Sequence, residues 1–184
     1  MFRQEKYDSS NPVVCFVIGR FFERIGETLD PLAPESLLDA GCGEGEMLRR
    51  VKLPAATRRV LLDRNPESGA QLLASVDALP FASRSFDVVT CLEVLEHLAD
   101  PASAARELGR VARKAVVLSV PYEPYFRIGN VLRGKHLARL GDHPEHVQHW
   151  NVRSFGAFLE PWFGEVRLRE AFPWIIACCR PGQH

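Results

Sequence analysis

One glycine-rich segment constrains this chain more than any other. An apolar run through Leu37 ends in Asp39, and glycines then occupy alternate positions at 41, 43 and 45 before a helix-forming stretch, residues 46–50. A buried strand followed by such a turn and a helix presents backbone N–H groups to a ligand at the helix N-terminus. Glycine lets the backbone approach a ligand more closely than a Cβ would allow. The segment therefore predicts a ligand loop at the end of a buried strand.

The spacing of the glycines narrows the kind of ligand. The loop reads G-x-G-x-G, whereas the dinucleotide fingerprint reads G-x-G-x-x-G, so a phosphate-binding role is less favoured. An acid directly before the glycines suits an amino group rather than a pyrophosphate. We therefore expect a nucleoside that carries an amino acid. A nicotinamide dehydrogenase is disfavoured by this spacing and by a length of 184 residues, which leaves little room for a second domain.

Composition excludes several other classes. The chain has 23 Lys and Arg against 23 Asp and Glu, so its formal net charge is zero, and it lacks the basic excess typical of nucleic-acid-binding proteins. The polar residues 1–10 predict no signal peptide, and the apolar run 13–18 is too short to span a bilayer. Five cysteines, an odd number, do not suggest a disulfide framework, so we expect a reducing, cytoplasmic location.

Apolar runs alternate with helix-forming segments along most of the chain, which is typical of an α/β fold with a doubly wound, mostly parallel sheet. An N-terminal helix is predicted from Asn11-Pro12 to Leu29. Seven strands are predicted, at residues 36–40, 59–63, 75–76, 85–91, 114–120, 164–170 and 174–179. Further helices are predicted at residues 46–50, 66–74, 100–112 and 153–160. Residues 122–150 interrupt this alternation of strands and helices, which predicts a cap inserted after the fifth strand. The whole chain, residues 1–184, is predicted to form a single domain.

Acidic or polar residues end the first four predicted strands. Asp39 precedes the glycine loop, Asp63 and Asp77 follow at the next two strand ends, and Cys91 to Glu93 at the fourth. Ligands of doubly wound sheets bind outside the carboxyl ends of the strands. Asp63 lies about two dozen residues after the loop, where an acid can accept both hydroxyl groups of an unphosphorylated ribose.

Four blocks in this order, LLDAGCGEG, VLLDRNPE, DALPF…SFDVV and CLEVLEHLADP, make the chain resemble the class I S-adenosylmethionine-dependent methyltransferases, in the branch with many small-molecule enzymes. The resemblance covers roughly residues 36–120 and implies a Rossmann-like methyltransferase fold with S-adenosylmethionine as cofactor. Where relatives often have a Pro-Gly-Gly turn before the fifth strand, this chain has Ala112 to Ala115, far from the expected cofactor.

The resemblance also implies a role for individual residues. Asp39 would hold the amino end of the cofactor, Asp63 its ribose and Asp77 its adenine amine. The remaining candidates would line the cofactor: Tyr7 as an N-terminal lid, Gly41, Cys42, Gly43, Arg64, Ala78, Leu79, Cys91, Leu92 and His97.

Methyl transfer to oxygen or nitrogen can require a base, and His97 and His146 are the candidate catalytic residues. The neighbouring stretch Glu93-x-x-Glu96-His97 could also form half of a divalent-metal site. It is similar to stretches in ubiquinone-biosynthesis O-methyltransferases and in small-RNA 2′-O-methyltransferases. In the latter, a further histidine four residues before a tryptophan completes the site, and His146 and Trp150 have that spacing. The interpretation without a metal, in which His97 only lines the pocket, is favoured.

The expected function is methyl transfer to a small-molecule acceptor at oxygen, with an aromatic wall that includes Tyr122, Tyr125 and Trp150. Two alternatives stay open: a metal-dependent RNA 2′-O-methyltransferase, which the neutral charge disfavours, and a cofactor-binding, non-catalytic partner subunit. The acceptor, the oligomeric state and the pathway are not predicted.

Overall fold

The computed structural model describes residues 10–125 and 147–182. Seven strands form one sheet: β1 (Ser36–Ala40), β2 (Arg58–Asp63), β3 (Leu72–Leu73), β4 (Phe86–Leu92), β5 (Ala112–Pro121), β6 (Phe163–Ala171) and β7 (Trp174–Pro181). The described helices are α1 (Pro12–Leu29), α2 (Glu46–Arg50), α3 (Pro101–Val111) and α4 (Val152–Leu159), with short 3-10 turns at Asp30–Leu32 and Leu95–His97. Tyr7 and His146 lie outside the described residues.

The N-terminal helix α1 begins as its sequence predicts. The Asn11 side chain accepts hydrogen bonds from the N–H groups of Val13 and Val14, and Pro12 occupies the first turn. One face of the helix is buried, and it carries Ile18, Phe21, Phe22, Ile25 and Leu29.

The sheet has the strand order β3-β2-β1-β4-β5-β7-β6. The neighbouring pairs from β3 to β5 are all parallel, whereas β7 is antiparallel to both β5 and β6. The carboxyl ends of β1, β2 and β4 therefore meet at one edge of the sheet. The chain order reverses between β1 and β4, which is where doubly wound sheets bind ligands.

Apolar clusters cover both faces of this sheet. One includes the buried sides of α1 and α2 with Leu37, Val88 and Val117. The other includes α3 and α4 with Leu38, Val89 and Leu118. Because successive side chains of a strand point to opposite faces, β1 and β4 are buried on both faces and most of their side chains are apolar. These observations confirm the predicted doubly wound, mostly parallel sheet and its N-terminal helix.

The prediction for residues 66–76 is wrong. No helix forms at 66–74, and the third strand is Leu72–Leu73 rather than residues 75–76. The side chains of Asn65 and Ser68 accept hydrogen bonds from the N–H groups of Glu67 and Ala70, so local turns replace the helical ladder. The Gly69 N–H donates to the carbonyl of Gly43, 2.9 Å away, which ties this connection to the glycine loop.

Only the ends of the predicted cap, residues 122–125 and 147–150, belong to the described part of the chain. Tyr122 bridges to Trp150, and the Glu123 N–H donates to the Trp150 carbonyl at 2.9 Å. Both ends therefore meet beside the carboxyl end of β5. Within the described residues, no helix is long and apolar enough to cross a membrane.

Candidate functional site

The glycine loop between β1 and α2 is built from left-handed backbone conformations. Gly41, Gly43 and Gly45 have φ values of 75°, 53° and 77°, which glycine adopts without the steric cost of a side chain. A Cβ on Gly41 would lie 2.5 Å from Cγ2 of Val94, in the turn after β4. The N–H groups of Gly41 and Cys42 both donate to the carbonyl of Leu62, at 2.7 and 3.0 Å. The loop is therefore fixed by its packing between β2 and that turn.

Asp63 ends β2 and braces the same loop. Its Oδ2 accepts a hydrogen bond from the Gly43 N–H at 2.8 Å, and its Oδ1 accepts one from the Asn65 N–H at 2.8 Å. An ionised carboxylate can accept about four hydrogen bonds, so each oxygen retains capacity for another donor. Arg64 follows on the exposed surface.

Asp39 ends β1 and is 2% exposed. Its Oδ1 accepts a hydrogen bond from the Thr90 hydroxyl of β4 at 2.8 Å. Its Oδ2 is buried, and no residue in the described part of the chain donates a hydrogen bond to it. Burial, only partly offset by the Thr90 hydrogen bond and reinforced by the nearby Asp63 charge, raises the pKa of Asp39 to about 6. A buried acceptor atom without a donor fits a ligand that brings a cationic donor.

Negative charge concentrates at this edge of the sheet. Burial first, and then the charges of Asp39 and Asp63, raise the pKa of the Cys42 thiol to about 12. The pKa of Cys91 is raised well above its usual value by burial, followed by the charges of Asp39, Glu96 and Asp63. Both thiols therefore stay neutral near pH 7. The carboxylates create a potential that favours a positively charged ligand.

Asp77, Ala78 and Leu79 follow β3 along the chain, beside α3. Asp77 and Ala78 are exposed, whereas Leu79 is buried. The peptide N–H of Leu79 donates to Oε2 of Glu107 at 2.9 Å, and its carbonyl accepts from Nη2 of Arg110 at 3.0 Å. The loop thus presents a polar side and an apolar side while its backbone is fixed.

The turn after β4 carries the remaining candidates. Cys91 is buried, and Leu92, Glu93 and His97 are half-buried. The Glu96 carbonyl accepts hydrogen bonds from the N–H groups of Val147 and Gln148, at 2.8 and 3.1 Å. The returning end of the cap is therefore fastened to this turn.

The structure does not assemble the proposed metal set within the residues it describes. Across 10–125 and 147–182, no group of three or more His, Cys, Asp or Glu side chains is arranged to hold a metal ion. The fourth candidate ligand, His146, lies outside those ranges.

The predicted aromatic wall is only partly placed at the cap ends. The ring centroids of Tyr122 and Tyr125 are 5.0 Å apart, and those of Tyr125 and Phe172 are 5.6 Å apart. Trp150 instead packs in the core against Phe155 and Phe158. Its assignment to the wall is wrong, because its ring fills the space beside α4.

Sequence reasoning missed Thr90, Phe172 and the pair Glu107 and Arg110. The acid and arginine three residues apart on α3 could have suggested an ion pair, but not its contact with a loop about thirty residues earlier in the chain. Nothing in the sequence pattern indicates the Thr90 contact, because it depends on the pairing of β1 with β4.

Comparison with known proteins agrees with this geometry. Residues 38–120 match the family described as “Methyltransferase domain”. The chain is 31% identical over 101 residues to the ubiquinone biosynthesis O-methyltransferase of Thiobacillus denitrificans, covering 47% of this chain and 44% of that protein. It is 39% identical over 93 residues to the enzyme of the same name from Albidiferax ferrireducens, covering 42% and 37%. The chain thus spans less than half the length of these relatives.

Solved structures share the whole fold. A Thermotoga maritima protein described as an S-adenosylmethionine-dependent methyltransferase, possible histamine N-methyltransferase, superposes with a TM-score of 0.63 and 12% identity. The superposition covers 97% of this chain and 99% of that one. The family match places residues 38–120 in the methyltransferase-domain family, and the strand order with the glycine loop and its acidic strand ends is that of the class I S-adenosylmethionine-dependent methyltransferase fold.

Proposed function

We propose that the chain transfers a methyl group from S-adenosylmethionine to an oxygen atom of a small-molecule acceptor. The observation that carries this proposal is the pair of carboxylates beside the glycine loop, with Oδ2 of Asp39 buried and without a hydrogen-bond donor among residues 10–125 and 147–182. The cofactor has an ammonium group and a sulfonium group, and this acidic edge favours both cations.

The chain's own residues suit the parts of that cofactor. Asp39 offers its open oxygen to the amino group, and Asp63 retains acceptor capacity for the ribose hydroxyls. Asp77 is exposed and available to the adenine amine, with Ala78 and Leu79 beside it. The other candidates would lie around the bound cofactor: Gly41, Cys42, Gly43, Arg64, Cys91, Leu92 and His97. Tyr7 would cover it from the N-terminal segment.

When bound, the cofactor supplies an electrophilic methyl group, so the protein has mainly to align an acceptor and remove a proton. Alignment alone can supply roughly 7–11 kcal/mol of the barrier. His97 is half-buried in the turn directly after β4, where its imidazole can take a proton from an acceptor hydroxyl. His146 is the second candidate for this role.

An aromatic acceptor fits the cap ends best. Tyr125 and Phe172 are 46% and 60% exposed, so their rings offer free surface beside the carboxyl end of β5. The names of the curated relatives, which are O-methyltransferases of ubiquinone biosynthesis, support oxygen as the acceptor atom.

The proposal is tested by incubating the full chain with methyl-labelled cofactor and separate acceptors: a catechol, an aromatic amine and a short RNA duplex. We expect label on the catechol oxygen. Substituting His97→Gln should lower kcat by about 100-fold, with a much smaller change in cofactor affinity. Label only on RNA would support the RNA methyltransferase instead. Tight cofactor binding without transfer to any acceptor would support a non-catalytic partner.

A further inference from the structure

An ion pair on α3 holds the backbone of residues 77–81 from outside the site. The Arg110 Nε donates to Oε1 of Glu107 at 2.7 Å, and its Nη2 donates to Oε2 at 2.8 Å. This two-pronged geometry is the strongest arrangement available to an arginine and a carboxylate. Their side chains are 32% and 17% exposed, so solvent screens the pair only in part.

The same two side chains contact three backbone groups of the loop. Glu107 accepts from the Leu79 N–H, while Arg110 donates to the carbonyls of Leu79 and Phe81, at 3.0 and 2.7 Å. Both sides of residue 79 are therefore held by one ion pair. The Arg110 carbonyl also accepts from the Arg84 N–H at 2.8 Å, which fixes the far end of the loop.

The electrostatics favour the charged form of both partners. The hydrogen bond from Arg110 is the largest cause that lowers the pKa of Glu107, and the hydrogen bond to Glu107 raises the pKa of Arg110. Both groups thus stay charged across the physiological range. The carboxylate then remains an acceptor for the Leu79 N–H, and the guanidinium remains a donor to both carbonyls.

We propose that Glu107 and Arg110 are positioning residues that set the preference of the pocket for adenine over other bases. The inference rests on the proposed function, in which Asp77 accepts from the adenine amine and Ala78 and Leu79 contact the ring. Asp77 is exposed and lies two residues from the clamped peptide of Leu79. Its carboxylate can discriminate between bases only if the backbone that carries it is fixed. A mobile carboxylate could move away from a base that has a carbonyl in place of the amine, and the unfavourable contact would be lost.

The test compares two ligands that differ only at that base edge. S-adenosylhomocysteine carries the amine, whereas S-inosylhomocysteine carries a carbonyl in its place, which would face the Asp77 carboxylate unfavourably. Affinities of both are measured by calorimetry for the full chain and for two conservative variants, Arg110→Lys and Glu107→Gln. A lysine keeps the charge but cannot reach both carbonyls and the carboxylate in the same fork.

We expect the ratio of the affinity for the adenosine ligand to that for the inosine ligand to fall by about 3- to 10-fold in both variants. This is the size of effect expected when the contact of Asp77 with the base is weakened by about one hydrogen bond. The matched control is Arg106→Lys, because Arg106 is exposed on the same helix and donates to Ser103 rather than to the loop. This control should keep the ratio of the unsubstituted chain.

A purely structural role would lower the thermal midpoint and weaken both ligands equally, so an unchanged ratio in both folded variants overturns the proposal. An unsubstituted chain that binds both ligands equally overturns it as well. If one variant does not fold, the ratio in the other decides. A chain that binds neither ligand would instead contradict the proposed function.

Discussion

At the scale of single residues, the buried carboxylate of Asp39 lowers the stability of the folded, ligand-free protein. Its carboxylate is buried and accepts one hydrogen bond from Thr90, while no described residue donates to its Oδ2. Its pKa is raised from 3.8 to about 6, chiefly by burial. The unfolded chain releases this proton near pH 4, while the folded chain retains it until about pH 6. The free energy of unfolding therefore falls as the pH rises from about 4 to about 6, and the full destabilisation by Asp39 is present above that range.

Removing this charge should stabilise the ligand-free protein. We expect Asp39→Asn to raise the free energy of unfolding at pH 8 by on the order of 2–3 kcal/mol, with the difference vanishing near pH 4. Urea unfolding at both pH values measures this. The same variant should bind S-adenosylhomocysteine far more weakly. Asp100→Asn is the control for binding, since Asp100 is an exposed cap of α3 and its substitution should leave that affinity unchanged. A variant less stable than the unsubstituted chain at pH 8 would contradict this account of Asp39.

At the scale of elements, the sequence predicts those helices and strands whose bounds are set by the local pattern of apolar residues, glycines and prolines. Helix α2 has the predicted bounds, and β1, β2, β4 and β5 lie within two residues of theirs, because apolar runs between glycines and prolines specify buried parallel strands. The region of β3 was mispredicted because its two residues are positioned by pairing with β2, and the preceding connection is tied to the glycine loop through Gly69. Asp39 and Asp63 could be named as candidates from sequence because each stands at the end of an apolar run, and the structure places both at strand ends. The contacts of these acids with Gly43 and Thr90 could not be predicted, since both depend on how the strands pair.

The glycine loop gives the sharpest prediction for an element. Gly41→Ala would place a Cβ 2.5 Å from Val94 at a φ of 75°, so we expect a loss of about 2–4 kcal/mol in the free energy of unfolding. Adding Val94→Ala should restore part of the loss by removing the clash but not the backbone strain. Both are measured by urea unfolding.

Gly19→Ala is the matched control, because Gly19 is exposed in α1 and a Cβ there would contact no described atom within 4 Å beyond its chain neighbours and the local helix backbone. At this position we expect a gain of about 0.5–1 kcal/mol, since alanine favours a helix. Equal stabilities for Gly41→Ala and the unsubstituted chain would show that the packing of the loop against Val94 is unimportant.

At the scale of the whole molecule, the candidate site is assembled from distant parts of one sheet. The ends of β1, β2 and β4 supply Asp39, Asp63 and the turn with His97, while α3 holds the loop with Asp77. Two apolar clusters fix these pieces by packing both faces of the same sheet. The organisation of residues 1–184 as one domain stays a prediction, as do the roles of Tyr7 and His146.

The most direct test of the central claim is a calorimetric titration of the full chain with S-adenosylhomocysteine at pH 8, beside an Asp63→Asn variant whose folding is checked by circular dichroism. We predict one binding site per chain, and a loss of about tenfold or more in affinity for the variant, because a charged hydrogen-bond acceptor is lost. Absence of binding heat in the unsubstituted chain, or identical affinities for a folded variant, would contradict the assignment of this edge of the sheet as the cofactor site.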